Sequence, residues 1–245
     1  MKKINQFIKG QEHQSKSSRF GDIFNPASGE KIGEVSFANK DDVKLVIESA
    51  QTAFQSWSST PPLTRSRILF KFKELLLRDM EKLAIELTTE HGKILSDSTG
   101  SITRGMEVVE FACGIPHLLK GEFSENVGSE IDSWSTRQPL GICVGISPFN
   151  FPAMVPMWMF VISIACGNCF ILKPSEKDPS VTMMMAELLK EAGLPDGVFN
   201  IINGDKEAVD LLITNPHVDS VSFVGSTPVA EYIYHTSSQN NKRVQ

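Results

Sequence analysis

The chain has 245 residues, 41% of them hydrophobic and 22% charged, with a formal net charge of −5. These proportions are ordinary for a globular protein, with room for one large domain or two small ones and for a substantial core. The mild acidity offers no attraction to nucleic acid or an anionic membrane, and Ile4-Asn5-Gln6-Phe7 after Lys2-Lys3 is too polar for a signal-peptide core.

Residues 1–38 read as short, polar, extended segments, with Asn25-Pro26-Ala27-Ser28-Gly29 a turn between two of them. Asn39 is placed to cap a helix, with Asp41 and Asp42 near the positive end of its dipole and Val43, Val46, Ile47, Ala50, Ala53, Phe54 and Trp57 on one face. After Pro61-Pro62 a second helix is expected to run unbroken to near Gly92, on a stripe that includes Leu69, Phe72, Leu76, Leu83 and Leu87. A third runs from about 96 toward Pro116, with Ile102, Met106, Val109 and Cys113 on one side. Residues 121–140 are polar and alternating and read as an exposed two-stranded arm.

From Gly141 the texture changes. Apolar strands are predicted over 142–147, 169–173, 198–202 and 220–224, each followed by a helix, to about 167 and over about 180–192, 205–214 and 227–236. Near-continuous apolar strands alternating with helices predict an α/β fold with an open parallel sheet covered on both faces. The longest apolar run, 153–166, contains Pro156 and is shorter than the roughly 20 residues that span a bilayer. Of the four cysteines, Cys143 falls in a predicted strand and Cys113 and Cys166 in predicted helices. The lone Cys166-x-x-Cys169 lacks a second pair of ligands, so buried free thiols in a reducing cytoplasm are expected rather than a metal or redox site.

Three polar clusters sit where strands end. Ser147-Pro148-Phe149-Asn150-Phe151-Pro152 fixes one side-chain amide between two prolines at a strand–turn–helix junction. Asn150 there is either an oxyanion donor or a helix N-cap. Lys173-Pro174-Ser175-Glu176 puts a cation at a strand end and a carboxylate three residues on. That pair can grip a ribose, with the carboxylate disfavouring a 2′-phosphate, or be an ordinary solvated charge pair. Gly225-Ser226-Thr227 can offer backbone N–H groups and a hydroxyl to a pyrophosphate, or simply cap a helix. Arg104 lies off the apolar stripe of the third helix, as a surface arginine would. The five histidines are scattered, and neither G-x-G-x-x-G nor G-x-x-x-x-G-K-[ST] occurs.

Taken together, Pro148-Phe149-Asn150-Phe151-Pro152, Lys173-Pro174-Ser175-Glu176 and Phe223-Val224-Gly225-Ser226-Thr227 resemble, in order and spacing, the aldehyde dehydrogenase superfamily, from about Asn25 to Gln245. Within it, Pro152 to Phe160, Cys166-Gly167-Asn168, Arg104 to Ala112, Gly197 to Asn200 and Lys242 to Gln245 are similar to the CoA-acylating, methylmalonate-semialdehyde type. The resemblance implies NAD bound on the parallel sheet, attack on the aldehyde by a cysteine thiolate, hydride transfer, and release of the acyl group to water or CoA. Asn150 would stabilise the oxyanion, and Ser147 and Phe149 would line the cofactor. Lys173 and Glu176 would hold the adenosine ribose, with Lys177 the nearby cation, and Ser226 the pyrophosphate. Arg104 would meet the carboxylate of the semialdehyde.

By the same likeness 1–120 would be the leading segments and helices of the cofactor domain, 121–140 the arm that builds a homotetramer, and 141–245 the Rossmann-like unit. Relatives often carry Arg at the Lys177 position and Gly at that of Ala230. The family's nucleophilic cysteine would lie past Gln245 in a catalytic domain, matched by none of Cys113, Cys143, Cys166 or Cys169. The chain is therefore expected to be the cofactor-binding half of such an enzyme, a fragment or a split reading frame, without turnover of its own. The competing expectations are a non-catalytic nucleotide-binding protein and a different member of the superfamily, such as a succinate-semialdehyde type.

Overall fold

The structure, a computed structural model, describes residues 2–245. The opening segment folds into β1 (Lys2–Ile4), β2 (Gln6–Ile8), β3 (Gln11–His13), β4 (Phe20–Asn25) and β5 (Glu30–Ser36). Helices α1 (Lys40–Trp57), α2 (Pro62–Arg78), α3 (Met80–His91), α4 (Leu95–Cys113) and the short α5 (Ile115–Leu118) follow, then the hairpin β6 (Phe123–Gly128) and β7 (Ile131–Trp134). The alternating half comprises β8 (Ile142–Ile146), α6 (Met154–Ala165), β9 (Cys169–Lys173), α7 (Ser180–Glu191), β10 (Phe199–Ile201), α8 (Lys206–Ile213), β11 (Ser220–Phe223), α9 (Thr227–Gln239) and β12 (Arg243–Val244).

The main sheet runs β12-β11-β8-β9-β10-β2-β3. Its first five strands are parallel: β8 to β11, as the apolar βα pattern predicts, and β12, which that pattern did not include. Two antiparallel strands from the first residues extend its edge. That addition lay outside the expectation, because β2 is only Gln6–Ile8 and its partner β10 is remote in sequence. Buried amides make the join: Gln6 Nε2 donates to the Ser36 carbonyl at 2.9 Å, and Asn203 N–H donates to Gln6 Oε1 at 2.6 Å. A separate small sheet, β1-β5-β4, encloses Ile4, Ile23 and Val35.

Side chains alternate across the sheet. Phe170 of β9 and Phe199 of β10 stack on one face, 6.5 Å apart, under Phe160 of α6, with Phe72 of α2 beyond. Asn200 points to the other face and meets Ser49 of α1 at 3.3 Å. Asn39 caps α1 through a capping box with Asp42. The expected second helix proves to be two. Asp79 (φ −103, ψ 14) leaves helical geometry, and Arg78 bonds both Asp79 and Glu191 of α7. The bend there keeps Leu83, Ala84 and Leu87 in the core along with Leu69, Phe72 and Leu76. The β6–β7 hairpin projects with Phe123, Val127, Ile131 and Trp134 exposed.

One buried contact fixes the β9–α7 loop. Glu90, at the end of α3, accepts from the backbone N–H of Ser180 at 3.0 Å and from its hydroxyl. Asp178 lies beside it, 2% exposed, with Oδ1 unpartnered among the described residues. Burial, and then the Glu90 carboxylate, push the Asp178 pKa up to about 8.

Two outcomes are expected. Phe160→Ala should cost about 3–5 kcal/mol, read as a lower denaturant midpoint at unchanged slope, whereas a loss below about 1 kcal/mol would mean the aromatic cluster is not tightly packed. Asp178 keeps a proton in the folded chain that an unfolded aspartate gives up near pH 4. That group's contribution is therefore whole below pH 4 and is lost as the pH rises toward 8. Between pH 5 and pH 8, Asp178→Asn should lose less stability than the unmutated chain, by up to about 4 kcal/mol. Parallel stability–pH curves for the two would show Asp178 ionised in the fold.

Candidate cofactor site

β8 is followed along the chain by β9 on one side, but β11 lies on its other side, so the strand order reverses at β8. Open parallel sheets offer a crevice at such a reversal, outside the carboxyl ends of the strands. In-phase pairing brings the ends level, with Ile146 opposite both Lys173 and Phe223. The crevice here is a groove of about 620 Å³ between those strand ends, α8 and α9.

Its inner wall is Ser147. The Ser147 backbone N–H donates to the Lys173 carbonyl at 3.1 Å, while its buried hydroxyl has no partner among the described residues. Phe149 is half exposed, with the Lys177 ammonium 4.5 Å from its ring centroid. Lys173 is buried, 6% exposed, and its Nζ lies 3.1 Å from Glu176 Oε2. Burial alone would raise the Glu176 pKa, but Lys173, a backbone hydrogen bond and Lys177 outweigh it and hold the carboxyl below its usual range. Glu176 is therefore ionised and aimed by a fixed cation. Ser175 Oγ accepts from the Lys177 N–H at 3.1 Å and tightens the turn that carries both.

The third wall is the start of α9. Ser226 is its N-cap by backbone geometry, yet its hydroxyl makes no capping bond, and Pro228 follows in the first turn. The hydroxyl and the helix's first N–H groups stand at the groove, where a helix N-terminus favours a phosphate. The groove thus gathers Ser147, Phe149, Lys173, Glu176, Lys177 and Ser226. Asp205, Lys206 and Tyr232 complete it and were not singled out by the sequence. Asp205 could have been, since it follows β10 much as Glu176 follows β9. Tyr232 could not, because only folding brings its hydroxyl to Asp210 (2.8 Å) and Lys206 (2.9 Å).

Asn150 and Arg104 lie outside the groove. Asn150 is exposed, one residue beyond Phe149, and is not the cap of α6, whose N-cap is Ala153. The helix-cap explanation of this amide therefore falls away. Arg104 is exposed on α4. Its neighbour Gly105 packs against Met154 and Met157 so closely that a Cβ would collide, which sets Arg104 beside the first turn of α6.

The thiols lie elsewhere. Burial pushes Cys169 up to about 12 and Cys113 up to about 11, and raises Cys143 and Cys166 as well. Cys143 and Cys166 line a second cavity of about 420 Å³, beside Trp158 and Arg243. All four are free, none is an activated thiolate, and no cluster of possible metal ligands occurs among the described residues. No helix among them is long and apolar enough to cross a membrane.

The model of the aldehyde dehydrogenase family matches residues 13–245. A malonate-semialdehyde dehydrogenase of Pseudomonas aeruginosa is 52% identical over 229 residues, 94% of this chain and 46% of that protein. An acylating mitochondrial methylmalonate-semialdehyde dehydrogenase of Arabidopsis thaliana is 46% identical over 243 residues, 99% of this chain and 40% of that protein. A Sinorhizobium meliloti protein of the methylmalonate-semialdehyde dehydrogenase type, solved in complex with NAD, superposes with a TM-score of 0.98 at 52% identity, over 100% of this chain and 50% of that one. The chain spans about half the length of the curated relatives it matches. On the family match and these identities, the chain belongs to the aldehyde dehydrogenase family.

Proposed function

We propose that this chain is the cofactor-binding portion of an NAD-dependent, CoA-acylating dehydrogenase of malonate or methylmalonate semialdehyde. The observation that carries the proposal is the convergence of Ser147, Phe149, Lys173, Glu176, Lys177 and Ser226 on one groove at the reversal of strand order. The donor set fits NAD: an ionised carboxylate aimed by a lysine, an unpartnered buried hydroxyl, and a helix N-terminus without a side-chain cap. When bound, NAD supplies the acceptor for the aldehyde's hydride. Glu176 accepts from the ribose 2′- and 3′-hydroxyls and repels a 2′-phosphate, and Lys173 holds its direction. Ser226 and the first N–H groups of α9 receive the pyrophosphate. Ser147 and Phe149 wall the groove, and Lys177 places a cation on its rim.

Asn150, just past that wall, donates its amide to the oxyanion that forms when a thiolate adds to the aldehyde. Arg104 takes the substrate carboxylate through charge-assisted hydrogen bonds. The thiolate itself is not among the four cysteines, whose thiols are held protonated by desolvation, and we place it outside residues 1–245. CoA then takes the acyl group as co-substrate. The β6–β7 arm, with Phe123, Val127, Ile131 and Trp134 exposed, is an oligomerisation element, and the free thiols suit a reducing cytoplasm.

Titration of the purified chain with each cofactor tests the site. NAD should bind at least tenfold more tightly than NADP, and Glu176→Gln should narrow that gap by weakening NAD by about 1.5–3 kcal/mol. Tighter binding of NADP by the unmutated chain would overturn the assignment. In an active full-length protein carrying this sequence, Asn150→Ala should lower kcat by roughly 10²–10³-fold with NAD affinity little changed. Unaltered turnover would remove Asn150 from the chemistry.

A further inference from the structure

The segment between α3 and α4 lies under the Asn150 turn. Gly92 closes α3 in the left-handed region (φ +86), its N–H donating to the Thr88 carbonyl at 2.9 Å. A Cβ on Gly92 would lie 2.6 Å from Pro26 Cγ, so both the conformation and the space require glycine. Ile94 is extended (φ −67, ψ 155) and α4 begins at Leu95. Lys93 thus sits on a short rigid link between two packed helices. Its Nζ donates to the Asn150 carbonyl at 3.0 Å and stands 4.4 Å from the centroid of the Phe151 ring. The ring of His91 also faces the Asn150 backbone, and burial together with the Lys93 charge keeps it neutral. The stretch from Ser147 to Pro152 belongs to no helix or strand, and the Asn150 side chain makes no hydrogen bond among the described residues.

We propose that Lys93 is a positioning residue for Asn150: its ammonium grips the Asn150 carbonyl and the neighbouring Phe151 ring, and so fixes the direction of the Asn150 side-chain amide. The amide has no partner of its own, so its aim depends on the backbone that bears it. The two flanking prolines stiffen that backbone without anchoring it. A charge-assisted bond from a second element supplies the anchor, and the ring adds a cation–π contact. A methionine of similar length would fill the space and supply neither. The groups that face Lys93 are His91 at the end of α3, Asp97 on α4 and Asp178 on the β9–α7 loop. Asp97, and Asp178 once it ionises above about pH 8, favour the ammonium, and burial opposes it, with burial the larger. The value of Lys93 to catalysis rests on the reading of Asn150 as an oxyanion donor. Its hold on Asn150 does not.

The test uses the 245-residue chain labelled with 13C and 15N at asparagine, with the Asn150 side-chain signals assigned by their loss in Asn150→Ala. Lys93→Met should shift the Asn150 amide signals and lower their order parameter, while Lys93→Arg should restore both toward the unmutated values. NAD affinity should stay within about twofold throughout, because Lys93 does not line the groove. Unchanged Asn150 signals in a folded Lys93→Met chain would overturn the proposal, as would equal changes in the two variants. Should Lys93→Met not fold, the Asn150 side-chain carbonyl carbon is followed on alkaline titration in the Asp178→Asn chain, which lacks the neighbouring acid that titrates near 8. A transition below the ordinary lysine range supports the proposal, and a flat trace overturns it. In an active full-length protein, Lys93→Met should lower kcat roughly tenfold or more with the KM for NAD unchanged. Loss of Asn150 order with full turnover would refute the role of Asn150 and leave that of Lys93 standing.

Discussion

The ladder of β8 is the interaction on which the site depends. This strand is buried along its whole length and bonds in parallel to β9 on one side and β11 on the other. Because side chains alternate at every residue, a slip of one position would turn each buried group to the wrong face. Gly145 makes such a slip costly, since the Phe170 ring and the Met159 sulfur occupy the space where a Cβ would stand. With the register pinned, three strands end at one level, and the residues after each are delivered to a common edge. The groove follows from backbone pairing, and the polar side chains only furnish it.

That edge carries charge in a partly buried setting. Lys173 is nearly enclosed, and an unpaired ammonium there would be expensive. Glu176 compensates it across the width of one turn, and the same contact keeps the carboxylate ionised. The pair is thus structural and functional together, and neither group can be replaced without stranding the other. Lys177, exposed on the Phe149 ring, belongs to the rim and is far less constrained.

Two of the loops that build the site are braced from behind by one short segment. Glu90 fastens the N-terminus of α7 through Ser180, and Lys93, three residues on, reaches the Asn150 turn. The left-handed Gly92 between them lets neighbouring side chains serve loops that leave two different strands. Helices α2 to α4 are therefore more than a lid on the sheet, because they set the geometry of turns that the sheet alone would leave loose.

The sequence by itself determined the alternating half of the molecule. Apolar strands of three to five residues and amphipathic helices carry their own period, so β8, β9, β10 and β11 and the helices after them stand close to where the pattern puts them. The three polar clusters at strand ends were legible too, and each contributes residues to the groove, because the segment after a buried strand has few places to go in an open parallel sheet. Only the tertiary structure decided the rest. The break at Asp79 is invisible in the pattern, since the apolar stripe continues on both sides of it and only the need to face one core bends the chain. The pairing of Gln6–Ile8 with β10 depends on buried amides meeting across nearly the whole chain. Lys93, Asp178 and Tyr232 read as ordinary polar residues until folding supplies their neighbours. Local periodicity is written in adjacent residues, whereas the partner of a buried charge or amide is chosen by packing between remote segments.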